Sequence, residues 1–371
     1  MAPKIIIAGG GTGGHIFPAV AIASELKRRD AATEILFVGA KSGMEMSVVP
    51  KQGYDIKGVW ISGIQRQLNL RNIGRNLLFP VKLLVSLSQS NNILRAFKPD
   101  LVVGVGGYAS GPMGRAAASN DIPLVLCEQN AYPGLVNKWL AKKASKILLG
   151  NAAAQKYFDP GKTQVTGNPI RAFDNMSRSD AAQKMGLAPD KPIVVSMGGS
   201  LGALKINQVL ETHIHQALEA GIQWVWQCGK YYYETLSQRV ATHENLRLTA
   251  FIDDMSAAYH AADLVIGRAG GSTISELIAL SKPAILVPSP NVAEDHQTQN
   301  ARSLSDHGAA LLITDAEAME KLVPKAIRLI QDEHALSNVQ TAISNMPKYE
   351  AAKVIVDELH TLLNIQPSPT T

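Results

Sequence analysis

The chain has 371 residues, 46% of them hydrophobic, enough to bury a sizeable core spread over two or three domains. Its two cysteines, Cys127 and Cys228, lie far apart without metal-ligand spacing, which argues against a disulfide framework and for a reducing compartment. The formal net charge of +5 is unevenly spread: residues 1–165 are strongly basic and residues 166–371 acidic, so the first half is expected to meet a membrane surface, phosphates or nucleic acid.

From the N-terminus, Lys4–Ala8 reads as a buried strand that runs into Gly9-Gly10-Gly11-Thr12-Gly13-Gly14-His15 and then a helix. The apolar run is too short for a signal peptide, and no stretch reaches the ~18 residues of a membrane-spanning helix. Further strands are expected at Glu34–Gly39, Leu101–Val105, Pro123–Glu128 and Lys146–Gly150. A second series follows at Pro192–Met197, Gln223–Gln227, Leu246–Thr249, Leu264–Gly267 and Ala284–Pro288. Its first strand enters a second glycine loop, Gly198-Gly199-Ser200-Leu201-Gly202-Ala203. Apolar strands alternating with helices predict an α/β fold of two doubly wound, Rossmann-like parallel-sheet domains facing a cleft. The expected boundaries are 1–165, 166–348, a C-terminal helix in 349–365 beyond the strands of the second domain, and a disordered tail at 366–371.

Between the third and fourth elements, Leu68–Lys98 mixes apolar residues with cations and holds no acid. Arg71, Ile73, Arg75, Leu78, Phe79 and Lys82 form a candidate patch for an anionic membrane surface. A packed helix pair is the alternative.

A glycine loop between strand and helix can turn backbone N–H groups and a helix N-terminus toward an anion. Gly9, Gly11 and Gly14 satisfy the G-x-G-x-x-G dinucleotide fingerprint, but the second strand ends Val38-Gly39-Ala40-Lys41 without the carboxylate a ribose needs. An NADP enzyme using Lys41 therefore stays as an alternative of another class. Gly161-Lys162-Thr163 imitates a P-loop ending but has Lys156 where a glycine is required.

Several stretches occur together and in order. They are the first glycine loop with His15, Gly104-Val105-Gly106-Gly107-Tyr108, Glu128-Gln129-Asn130, Gly167-Asn168-Pro169-Ile170-Arg171 and Gly198-Gly199-Ser200. Phe251-Ile252-Asp253-Asp254, Arg268-Ala269-Gly270-Gly271-Ser272-Thr273-Ile274-Ser275-Glu276 and Asp295-His296-Gln297 complete the set. Over about residues 4–360 the chain resembles the UDP-N-acetylglucosamine–N-acetylmuramyl-(pentapeptide) pyrophosphoryl-undecaprenol N-acetylglucosamine transferases. That resemblance implies a GT-B fold with the acceptor site in the first domain and the nucleotide-sugar site in the second. It implies inverting transfer of GlcNAc from UDP-GlcNAc to lipid I, giving lipid II for peptidoglycan, at the cytoplasmic face of the inner membrane. No cofactor and no nucleic-acid partner are implied. The sequence contains no Asp-x-Asp, so a metal-independent reaction is expected, with N–H groups, helix N-termini and arginine on the leaving diphosphate.

By the same resemblance, Glu276 accepts the ribose hydroxyls, Ile252 holds uracil through its backbone, and Ser200 and Arg171 touch the diphosphate. Thr12, Gly13 and Gly14 of the first loop and Gly271, Ser272 and Thr273 of the Gly270-Gly271 turn bind UDP-GlcNAc, while Asn130, His296 and Gln297 reach the sugar. His15 is the first candidate for the base that takes the proton of the attacking hydroxyl, since histidine titrates near neutrality. Glu128 is the alternative. Two departures stand out: Leu201 where a glutamine is common, and Cys127 where a histidine is frequent. Another GT-B enzyme acting on a different lipid acceptor is the nearest competing reading.

Overall fold

The structure is a computed structural model that describes residues 2–63, 77–171, 173–199, 201–292 and 295–365. The chain divides into two units, Met1–Arg171 with Tyr349–Thr371, and Ala172–Lys348. The expected parallel α/β architecture is present in each.

In the first unit, β1 (Lys4–Ala8), β2 (Glu34–Ala40), β3 (Asp55–Val59), β4 (Leu101–Gly104), β5 (Leu124–Glu128), β6 (Lys146–Leu149) and β7 (Thr163–Val165) make one sheet in the order β3-β2-β1-β4-β5-β6-β7. Every pairing is parallel, with Ile5 beside Ile35 on one side and Leu101 on the other. Helices α1 (Gly13–Arg29), α2 (Glu45–Lys51), α3 (Phe79–Phe97), α4 (Ser110–Ser119) and α5 (Leu135–Leu140) connect the strands. Successive side chains of a strand point to opposite faces, so a strand covered on both sides is apolar throughout. Ile6 packs with Leu36, Val102 and Met113 on one face, and Ile5 and Ile7 pack with Ile22 and Leu26 on the other.

The second unit repeats the plan. Strands β8 (Ile193–Met197), β9 (Gln223–Gln227), β10 (Leu246–Thr249), β11 (Leu264–Gly267), β12 (Ala284–Leu286) and β13 (Leu311–Leu312) take the order β10-β9-β8-β11-β12-β13. Its helices are α6 (Arg178–Lys184), α7 (Leu204–Glu219), α8 (Lys230–Arg239), α9 (Met255–Ala261), α10 (Gly271–Leu280), α11 (His296–Ser305), α12 (Ala318–Gln331) and α13 (Glu333–Ser344). In both sheets the strand that opens the unit has neighbours on both sides reached by crossovers in opposite directions. Such a switch point leaves a crevice at the strand C-termini where ligands of open α/β sheets bind. Both glycine loops leave from it.

The last helix, α14 (Ala351–Leu362), corrects one expectation. It is not an appendage beyond the second sheet but part of the first unit, where Ile355, Val356 and Leu359 join the core with Ile5 and Ile7. Arg29 on α1 fastens it, donating to Glu25 at 2.8 Å, to the Lys353 carbonyl at 2.9 Å and to the Asp357 carboxylate. Among the described residues, no helix is long and apolar enough to cross a membrane.

Candidate active site

The first glycine loop is less open than its sequence implies. Gly9 donates its N–H to Val38 at 3.0 Å, Gly10 to Gly106 at 3.2 Å, and Gly11 to the Glu45 carboxylate at 2.9 Å. These three N–H groups are therefore spent inside the fold and are not offered to an anion. What remains is the first turn of α1 at Gly13 and Gly14, because its N-cap Thr12 makes no side-chain capping bond. The dinucleotide reading weakens for the same reason, since Glu45 occupies a donor that the fingerprint would give to a pyrophosphate.

His15 sits on that first turn with Nδ1 at 3.1 Å from the Gly10 carbonyl and 3.2 Å from the Thr12 hydroxyl. A carbonyl can only accept, so Nδ1 is the donor in this contact, and in the neutral form of the ring that places the lone pair on Nε2. The ring lies against Gly106, where a Cβ would meet Nε2 at 2.8 Å. Arg171 is also brought to this helix end, its guanidinium 5.3 Å from the centre of the Phe17 ring.

Glu128, at the end of β5, is 2% exposed. It accepts the Asn130 N–H at 3.0 Å and side-chain amide at 3.2 Å, the Gly134 N–H at 2.9 Å and the Asn137 amide at 2.8 Å. Four donors fill the roughly four lone-pair positions of a carboxylate. Its oxygens hold residues 128–137 in place and orient Asn130, a geometry that favours a structural role for Glu128 over that of the alternative base. The neighbouring Cys127 thiol is pushed up to about 12, first by burial and then by the Glu128 charge, so it stays neutral.

In the second unit, the loop after β8 is tied down by a residue the sequence reading passed over. Gln227 accepts the Gly198 N–H at 3.0 Å and donates to the carbonyls of Gly199 at 3.0 Å and Ala250 at 3.1 Å. Beyond β10, Thr249 bonds the Phe251 carbonyl at 2.8 Å, and Asp254 caps α9 through the Ala257 N–H at 2.8 Å. Between these two anchors, Ile252 buries its side chain in the core. The N-cap of α10 is Gly270, which has no side chain to satisfy the first-turn donors, and the Ser272 hydroxyl beside them is buried with no hydrogen-bond partner among the described residues. Thr273 lies on the same turn. Asn300 of α11 donates to the Ala269 carbonyl at 2.9 Å and so fixes this turn from the neighbouring helix.

Glu276 lies one turn further along α10 and is 6% exposed. The Tyr259 hydroxyl, also buried, donates to its Oε2 at 2.8 Å and orients the carboxylate. At the start of α11, Gln297 accepts the Ser289 N–H at 2.8 Å, which leaves its amide nitrogen as the polar group to offer a ligand. His296 precedes it as the first residue of the helix. Arg268 is a structural staple: Nη1 reaches the carbonyls of Val287 and Pro288 and the Asp315 carboxylate at 2.6 Å.

The apolar, basic segment is described from residue 77 onward. Leu77 and Leu78, just before α3, and Val81 and Leu84 in its first turns are all exposed, Leu77 at 74% and Leu84 at 70%. Phe79 instead packs partly against the core, and Lys82 donates to Ser62 at 2.8 Å and lies 5.8 Å over the Trp60 ring. The exposed face is thus Leu77, Leu78, Val81 and Leu84, a correction for Phe79. Arg71, Ile73, Arg75, Ser200 and the tail at 366–371 lie outside the described residues.

The chain matches the glycosyltransferase family 28 N-terminal domain over residues 5–149 and the family 28 C-terminal domain over residues 193–355. With its two parallel-sheet units, it is a glycosyltransferase of the GT-B fold. Proteins named UDP-N-acetylglucosamine–N-acetylmuramyl-(pentapeptide) pyrophosphoryl-undecaprenol N-acetylglucosamine transferase are similar over nearly its whole length. That of Cytophaga hutchinsonii is 46% identical, covering 97% of both chains, and that of Christiangramia forsetii 44% identical, covering 97% of this chain and 98% of its own. The chain belongs to this transferase family. The crystal structure of MurG from Acinetobacter baumannii is similar too, with 26% identity, 97% of this chain and 99% of that one covered, and a TM-score of 0.75.

Proposed function

We propose that this protein transfers N-acetylglucosamine from UDP-N-acetylglucosamine to the 4-hydroxyl of N-acetylmuramic acid in lipid I, releasing UDP and forming lipid II with inversion at the sugar's anomeric carbon. The observation that carries the reading is the shared family sequence along 97% of the chain with relatives bearing that transferase name. The site supplies a chemistry for it. On the second unit, uracil meets the backbone of Ile252, the ribose meets Glu276, and Gln297 with His296 meets the sugar. The uncapped N-terminus of α10, with Gly271, Ser272 and Thr273, suits a diphosphate oxygen, and Ser200 follows Gly199 in the loop that Gln227 holds.

On the first unit, Nε2 of His15 takes the proton of the attacking hydroxyl as the new glycosidic bond forms. The Gly10 carbonyl then stabilises the resulting imidazolium through Nδ1–H. Arg171 and the first turn of α1, at Thr12, Gly13 and Gly14, provide positive potential for a diphosphate. Asn130, oriented by Glu128, contributes a polar contact to a sugar. Helix dipoles and arginine make the leaving diphosphate independent of a metal ion.

The face of Leu77, Leu78, Val81 and Leu84, preceded in sequence by Arg71 and Arg75, seats the first unit peripherally on an anionic membrane at the cytoplasmic side, where a lipid-linked acceptor is found. Transfer of labelled GlcNAc from UDP-GlcNAc to a lipid I analogue tests the reading. A disaccharide-bearing lipid product is expected; UDP release without that product, or none at all with folded protein, overturns it.

A further inference from the structure

We infer that Glu45 is a positioning residue for transfer: its buried carboxylate locks the peptide between Gly10 and Gly11 so that His15 presents a lone pair on Nε2. The inference deepens the reading of His15 as the base and rests on it.

Glu45 is 1% exposed, and among the described residues it accepts from two backbone N–H groups, Gly11 at 2.9 Å and Ala40 at 2.8 Å, and from no lysine or arginine. Burying a carboxylate without a cation is costly, so packing alone gives no reason for it. The surrounding sequence nevertheless makes room for it. A Cβ on Gly10, Gly39 or Gly43 would come within 2.3 Å of the Glu45 side chain, so three glycines from three segments form its cage.

The consequence follows from peptide geometry. The N–H of Gly11 and the C=O of Gly10 belong to one planar trans peptide and point in opposite directions. Glu45 takes the N–H, and His15 Nδ1 lies at the other end, 3.1 Å from the C=O. Because Gly11 has φ of +86° and Gly10 of +146°, this peptide sits between residues that can rotate with little penalty. Turned over, it would aim an N–H at the imidazole. Nδ1 would then have to accept, the proton would move to Nε2, and the ring could no longer take the acceptor's proton. The Glu45 charge opposes that flip.

The test uses the full-length protein with E45Q, and with G43A as a second perturbation that pushes on the carboxylate without removing it. Long-range 15N–1H spectra of the histidine side chains read the tautomer of His15 directly, assigned by H15A. Wild type is expected as the Nδ1–H form and both variants with a raised share of Nε2–H. Turnover is expected to fall about 10- to 100-fold, the scale on which a misplaced catalytic group acts, with UDP affinity within about twofold of wild type. Adding E45Q to H15A should cost nothing more. A folded E45Q or G43A protein with an unchanged His15 spectrum, or effects of E45Q and H15A that multiply, overturns the inference. Full turnover by H15A alone removes the base reading and the catalytic role of Glu45 with it, whatever the spectra show.

Discussion

Replacing Glu276 by glutamine separates the charge at the proposed ribose site from its shape. The side chain is buried, and the Tyr259 hydroxyl donates to it at 2.8 Å, a bond that the glutamine carbonyl can keep. A carboxylate has about four lone-pair positions, enough for Tyr259 and two ribose hydroxyls. Hydrogen bonds to a charged acceptor contribute roughly 1 kcal/mol more each than neutral ones, so two ribose bonds lose about 2 kcal/mol. That corresponds to a rise in Kd of about 30-fold. Calorimetric titration with UDP and with uridine is the assay, and both ligands should weaken by the same factor because the change is at the ribose. Tyr259→Phe removes only the orienting hydroxyl and should weaken UDP by about fivefold, less than E276Q because the charge that meets the ribose stays. A Kd for E276Q within about twofold of wild type, with an unchanged melting temperature, would refute the ribose assignment.

Turnover should persist in excess EDTA; loss on chelation with recovery on adding magnesium or manganese would show that a metal carries the diphosphate charge. Binding to vesicles should require anionic lipid and weaken with salt, and Leu78→Ser with Leu84→Ser should release the protein while leaving UDP affinity unchanged. Changing Arg71 and Arg75 to glutamine should remove ~2 kcal/mol of attraction, and equal sedimentation of all three proteins would return α3 to an ordinary packed helix. Glu25 anchors α14 through Arg29, and its carboxyl is lowered from 4.5 to about 2, first by the hydrogen bond from Arg28 and against the opposing effect of burial. A depressed carboxyl stabilises the fold fully above its unfolded pKa and loses that contribution as pH falls toward the folded value. The melting-temperature gap between wild type and Glu25→Gln should therefore be constant above about pH 5 and close toward pH 2; a gap that does not change with pH contradicts the linkage.

The central strands were legible because a parallel strand buried on both faces has to be a continuous apolar run, and Ile5-Ile6-Ile7 or Val194-Val195 can hardly be anything else. Strands β3, β7 and β13 were not. Asp55-Ile56-Lys57-Gly58-Val59 and Thr163-Gln164-Val165 are polar edge or near-edge segments, and β13 is two residues long, so none carries a periodic signal. The place of α14 was hidden for another reason. Its apolar stripe shows that it packs somewhere, but only the return of the chain at Tyr349 decides that Leu359 meets Ile5 and Ile7 rather than the nearer sheet.

At the site, the motifs marked the loops at the two sheets' switch points, because a glycine loop between strand and helix has a local signature. They did not tell which donors remain for a ligand. That depends on partners distant in sequence: Glu45 on Gly11, Gln227 on Gly198, Tyr259 on Glu276. None of the three belongs to a spacing rule, yet each decides what its motif can do. The first loop shows the difference most plainly. Its glycines fit a dinucleotide fingerprint, but a carboxylate from the next crossover holds the Gly11 N–H, and the same peptide then turns its carbonyl to His15. With that internal anion in place, the proposed role of the loop is to aim a proton acceptor, and the proposed anion site moves to the first turn of the helix that follows.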